Sequence, residues 1–154
     1  MLCCLLWKHK TENRVQKRRT GMDKKLLFIV NPRAGRTKSF APLFDAEACF
    51  SKAGYLVKVF LTEGRGDATR AAAELGGAYD LVVCAGGDGT FNEMVSGLMQ
   101  LPACPEVGYL PNGSTHDFAA SLPLPATPLK AAASIVNGHP FYLAVGRHND
   151  RYFA

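Results

Sequence analysis

Three short runs of this chain contain almost nothing but apolar residues: LLFIV at 26–30, DLVVCA at 80–85 and VGYL at 107–110. A strand buried on one face alternates apolar and polar residues, whereas a strand buried on both faces does not. Runs this short and this apolar, separated by helical patterns, predict central strands of a parallel sheet with helices on both faces. A fourth strand is expected at YLVKVFLT, 55–62.

The segments between them read as helices. Phe40, Leu43, Phe44 and Ala48 recur at helical spacing, and Gly54 supplies a stop. ATRAAAELG is a small-residue helix. Phe91, Met94, Val95, Leu98 and Met99 make an amphipathic stripe. Thr127 and Pro128 open another helix as N-cap and first position, which ends near Asn137 and Gly138. FYLAVG and RYFA then read as two strands about an RHND turn. The expected fold class is α/β: a three-layer open parallel sheet with helices on both faces, ending in the first strands of an incomplete second, β-rich domain. The expected division is a disordered basic extension over 1–21, an α/β domain over 22–138, and the start of the β-rich domain over 139–154.

In such sheets ligands bind at the carboxyl ends of the strands. That edge carries four polar loops here, at 31–39, 62–67, 86–90 and 111–117.

Charge narrows the partners. The chain has 18 Lys and Arg against 13 Asp and Glu. Residues 1–21 hold six of the bases and only one acid, Glu12, so residues 22–154 are balanced at twelve of each. The basic character belongs to the N-terminal segment, and the body gives no reason to expect nucleic acid. The N-terminal segment itself places apolar residues before its charges, the reverse of a signal peptide. It reads as a disordered extension ahead of a start at Met22, or as a weak membrane-surface anchor through Leu5, Leu6 and Trp7. The five cysteines have no CxxC spacing, which suggests a reduced, cytoplasmic protein without a zinc site.

The loop AGGDGTFNE, 85–93, carries the chemistry. Thr90 and Glu93 fit a capping box, with glycines making a tight turn. That reading leaves Asp88 unexplained. Glycines let backbone approach a ligand, and a helix N-terminus offers N–H groups to an anion. A carboxylate beside a bound phosphate calls for a cation, most simply Mg²⁺. The loop is not a Walker A sequence. It is not a dinucleotide fingerprint either, because Asn92 stands at the third glycine and the loop follows the strand at 80–85, the third along the chain, not the first.

Together, GGDGTFNE at 86–93, NPRAG at 31–35 and PNGSTHDFA at 111–119 resemble the catalytic domain of soluble bacterial diacylglycerol kinases. These are lipid kinases of the NAD kinase and phosphofructokinase superfamily. The resemblance runs from Lys25 to Ala154. It implies that Asn31, Pro32, Arg33, Ala34 and Gly35 line an ATP site and that Thr62 contacts the nucleotide. It implies that Gly86, Gly87, Asp88, Gly89, Thr90, Phe91 and Asn92 hold the phosphates. Ser114 stands where the family usually has threonine and keeps the hydroxyl. Asp88 and Asp117 are the implied Mg²⁺ residues. Plainer readings stay open: Asn31 as a turn residue, Thr62 as a strand end, Asp117 as a helix-terminal charge.

Three departures accompany the resemblance. His116 replaces a usual asparagine, Ala144 falls where an aspartate is common, and the expected general base lies beyond Ala154. The resemblance therefore implies the nucleotide-binding portion of an ATP-dependent lipid kinase, inactive by itself. It would meet its lipid at the membrane surface from the cytoplasm, and a homodimer is a further expectation. The alternatives are an NAD or long-chain-base kinase of the same superfamily, or a non-catalytic nucleotide-binding remnant.

Overall fold

The apolar runs become the central strands. A computed structural model describes residues 3–8, 24–35, 40–112, 124–125, 127–148 and 151–153. Strands β2 (Lys24–Val30) and β4 (Leu81–Gly86) lie side by side in parallel, Leu26 opposite Leu81 and Val30 opposite Ala85. β3 (Tyr55–Leu61) adds in parallel to the outer side of β2, and β5 (Glu106–Pro111) to the outer side of β4.

Alternate side chains of these strands serve different layers. Leu27, Ile29, Val82 and Cys84 pack in one cluster with α2 (Asp67–Leu75) and α3 (Asp88–Leu98). Leu26, Phe28, Leu81 and Val83 pack in the other with α1 (Ala41–Lys52) and α4 (Pro128–Asn137). Each fully buried large side chain contributes about 1.5–3 kcal/mol. This two-sided burial is the reason the runs carry no polar alternation. The three-layer parallel α/β class expected from the sequence is what forms.

Three local expectations are corrected. In α1 the buried residues are Leu43, Ala46 and Phe50, while Phe44 is 69% exposed. Phe50 wins the core place because its ring meets Phe28 edge-on at 6.0 Å and Tyr55 at 6.4 Å. The stop at Gly54 does form, with φ +91 and its N–H on the Ser51 carbonyl.

The second correction concerns the N-terminus. Within the expected disordered extension, Cys3–Lys8 forms a strand, β1, placing Leu5, Leu6 and Trp7 in the sheet ladder. It runs parallel to β5 and antiparallel to β6 (His139–Ala144), pairing Cys3 with Ala144 and Lys8 with His139. A strand between β5 and β6 satisfies backbone groups that would otherwise lack partners. Such long-range pairing leaves no trace in local composition.

The third correction follows from the second. FYLA does not pair with RYFA. It belongs to β6 in the six-stranded sheet, ordered β3-β2-β4-β5-β1-β6. The antiparallel pair is β7 (Gly146–His148) with β8 (Arg151–Phe153). No helix among the described residues is long and apolar enough to cross a membrane.

Candidate functional site

The order of the strands creates a crevice. From β2 the chain leaves through α1 on one face. From β4 it leaves through α3 on the other. Between two adjacent parallel strands whose connections diverge, the carboxyl ends open onto a ligand-sized space. Asn31 stands at this fork. Its N–H donates to the Ala85 carbonyl at 2.9 Å, tying the two strand ends together. Its side-chain Nδ2 donates to Thr90 Oγ1 at 2.9 Å, and its Oδ1 accepts the Arg33 N–H at 2.9 Å. Asn31 is thus a turn residue and also the link between the NPRAG loop and the glycine loop.

The glycine loop differs from a capping box. α3 begins at Asp88 after an extended Gly87, so Thr90 lies inside the first turn and is not the N-cap. The Glu93 carboxylate accepts the Gly66 N–H at 3.0 Å. Thr90 is held by Asn31. Both side chains are drawn to other loops, and this long-range competition displaces the local motif. The tight turn does form, because Gly87 alone separates β4 from α3, and it needs no positive φ at the loop's own glycines Gly86, Gly87 and Gly89. Space explains two of these glycines. A Cβ on Gly86 would lie 2.9 Å from the Thr90 Cβ, whereas a Cβ on Gly89 would meet nothing within 4 Å. Gly86 admits Thr90, and Gly89 leaves open room at the helix N-terminus.

Asp88 is held from below. The buried Tyr109, on β5, donates its hydroxyl toward Asp88 Oδ1 at 3.1 Å and the Gly86 carbonyl at 3.2 Å. Burial, and then the Asp88 charge, push the phenol far above its ordinary value, so it stays a donor. Phe91 packs on the Tyr109 ring with centroids 4.6 Å apart. Phe91 is buried and its N–H donates to the Gly87 carbonyl, so its side chain supports the loop from within the core, away from the ligand space.

The open space is a cavity of about 1040 Å³. Of the residues expected from the sequence, Asn31, Arg33, Thr62, Gly89, Thr90 and Asn92 line it. Thr62 sits at the end of β3 with its N–H on the Val30 carbonyl at 2.9 Å. Pro32, Ala34, Gly35, Gly86, Gly87 and Asp88 are not among the residues that line it. Gly35 approaches Asn112, whose Oδ1 would lie 3.0 Å from a Cβ there. Ser114, His116 and Asp117 lie outside the described residues. Ala144, at the end of β6, supplies no carboxylate.

Residues not singled out from the sequence also line the cavity, notably Glu63, Arg65 and Tyr152, and Glu93, read from the sequence only as a capping residue, lines it too. Arg65 was hidden in an EGRGD loop with no motif. Tyr109 was hidden as one hydroxyl in an apolar strand.

Among the described residues no group of three or more His, Cys, Asp or Glu is placed to hold a metal ion. Mg²⁺ asks for less than that. It keeps several waters and binds through one or two carboxylates plus phosphate oxygens. Asp88, oriented by Tyr109 in the first turn of α3, fits that mode.

Known proteins share this fold. Residues 25–148 match the diacylglycerol kinase catalytic domain. A diacylglycerol kinase of Staphylococcus epidermidis is 40% identical over 133 residues, which are 86% of this chain and 42% of that protein. One from Staphylococcus aureus is 38% identical over the same shares. The crystal structure of a diacylglycerol kinase from Bacillus anthracis superposes with a TM-score of 0.78 at 31% identity, over 84% of this chain and 45% of that one. The chain thus spans less than half the length of these relatives. With the motifs, the fold and the fork between β2 and β4 all in agreement, the chain belongs to the diacylglycerol kinase catalytic domain family.

Proposed function

We propose that this chain is the nucleotide-binding part of a lipid kinase. It takes ATP with Mg²⁺ and directs the γ-phosphate to a lipid hydroxyl such as that of diacylglycerol. The observation that carries the reading is the Asn31–Thr90 hydrogen bond, which joins two of the three family motifs at the edge of one cavity.

Phosphoryl transfer depends on positioning and charge neutralisation. The N-terminus of a helix such as α3 faces negative charge favourably. Gly89 lets a phosphate come close to it, and Arg33 and Arg65 bring positive charge to the cavity lining. Asp88, and Asp117 on the same reading, would hold the hydrated Mg²⁺, which supplies charge neutralisation at the phosphates. Asn31, Pro32, Arg33, Ala34 and Gly35 shape one side of the nucleotide site, with Thr62 and Ser114 as hydroxyl contacts. The acceptor lipid would be met at the cytoplasmic membrane surface by peripheral contact. A homodimer and the absence of a nucleic-acid partner belong to the same reading.

Calorimetric titration with Mg-ATP tests it. Saturable binding that is lost in Asp88→Asn or without Mg²⁺ supports it, and a flat titration ends it. Offering diacylglycerol, a long-chain base and NAD as acceptors separates the kinase alternatives. We expect this chain by itself to bind nucleotide and to transfer little phosphate.

A further inference from the structure

Glu93 lines a cavity proposed to receive a polyphosphate, where a carboxylate facing phosphate is repelled, and Asp67 directly follows the lining loop 62–66. Their hydrogen bonds explain them. The loop at 62–66 joins β3 to α2 and forms part of the cavity lining. The Glu63 and Gly64 N–H groups donate to Asp67 Oδ2 at 2.8 and 2.9 Å. The Gly66 N–H donates to Glu93 Oε2 at 3.0 Å, from a backbone with φ +88. Asp67 is the first residue of α2, and Arg70 steadies its other oxygen at 2.9 Å. Glu93 belongs to α3, the helix that carries the glycine motif. Its own carbonyl accepts the Thr69 hydroxyl at 2.9 Å, so two donors from the α2 side converge on Glu93.

We propose that Asp67 and Glu93 are positioning residues for the nucleotide. They act through the backbone N–H groups of Glu63, Gly64 and Gly66, and hold the 62–66 loop in register with the α3 N-terminus. The inference rests on the proposed nucleotide site and deepens it. Glu93 works here as a hydrogen-bond acceptor, and its negative charge is incidental. A metal ligand or an electrostatic group would need the charge itself.

The experiment compares Glu93→Gln with Glu93→Ala, and Asp67→Asn with Asp67→Ala, in the whole chain. Mg-ATP affinity is read by calorimetry, and amide exchange is read at residues 63, 64 and 66. An amide oxygen still accepts a hydrogen bond. The Gln and Asn variants should therefore keep affinity within about threefold, while each Ala variant loses about tenfold. Amide protection should fall in the Ala variants alone. Equal losses in Glu93→Gln and Glu93→Ala would assign the role to charge and overturn the inference. So would Ala variants that lose amide protection but keep wild-type affinity. Absence of Mg-ATP binding in the unmodified chain would remove the nucleotide reading itself, and this inference with it.

Discussion

The Tyr109 hydroxyl lies 3.1 Å from Asp88 Oδ1, reaching from the middle of the sheet to the first turn of α3. The same proton can serve the Gly86 carbonyl at 3.2 Å, which also accepts the Asn112 N–H at 2.9 Å. One side chain thus supports both the backbone and the carboxylate of the glycine loop.

Replacing that hydroxyl separates fold from function. Tyr109→Phe keeps the ring against Phe91 and removes only the donor. It should cost about 0.5–1.5 kcal/mol in urea unfolding. It should also weaken Mg-ATP binding, because the Asp88 carboxylate is less well oriented. Asp88→Asn keeps an acceptor oxygen for Tyr109. Its unfolding midpoint should stay close to that of the unmodified chain while saturable Mg-ATP binding is lost.

The glycines of one loop should respond differently to the same change. Gly89→Ala adds a methyl group where the protein has nothing within 4 Å. Its thermal stability should be unchanged or slightly raised, since alanine is the better helix former by about 1 kcal/mol. Mg-ATP affinity should fall, because the methyl enters the cavity. Gly86→Ala presses on Thr90 and should lower stability and affinity together. Paired melting and calorimetry on the two variants would expose the contrast, and equal behaviour would refute it.

The sequence made the sheet legible because residues 26–30 and 81–86 are buried on both faces, and such burial excludes polar alternation. It also made the carboxyl-edge loops legible, since their position follows from strand direction. It hid what depends on partners far along the chain. β1 could not be foreseen because its partners, at 106–111 and 139–144, lie roughly a hundred or more residues away. Thr90 and Glu93 satisfied a local capping pattern, yet Asn31 and Gly66 claim their side chains. Tyr109 read as core, and it is core, but its hydroxyl meets a residue 21 positions earlier.

The close approach of α2 and α3 rests on Gly97. A Cβ there would overlap the Thr69 carbonyl oxygen and lie 2.8 Å from the Ala72 Cβ. The first of these contacts is with helix backbone, which has little freedom to yield. Gly97→Ala should therefore cost about 1–3 kcal/mol by overpacking, despite the better helix propensity of alanine. Gly108→Ala meets mainly the terminal methyl of Ile135, a flexible group, and should cost less. Urea unfolding of the two variants gives the order, and a milder effect at Gly97 would contradict the packing argument.

The pH dependence of the 62–66 loop follows from Asp67. The N–H groups of Glu63 and Gly64, with Arg70 assisting, hold its carboxyl below the ordinary 3.8, against a smaller opposing effect of burial. A carboxyl whose pKa is lower in the folded protein than in the unfolded chain stabilises the fold in its charged form. Its contribution is complete above the unfolded value and is lost as pH falls through the folded one. The loop should thus keep its structure unchanged from neutral pH down to about pH 5, and loosen only below the ordinary carboxylate range. Carboxyl-carbon NMR titration of Asp67 should give a midpoint below 3.8. In Arg70→Ala the midpoint should rise only part of the way back, because the two backbone donors remain. A midpoint at or above the ordinary value in the unmodified chain would mean that the carboxylate does not hold the loop, and the positioning role assigned to Asp67 would fail with it.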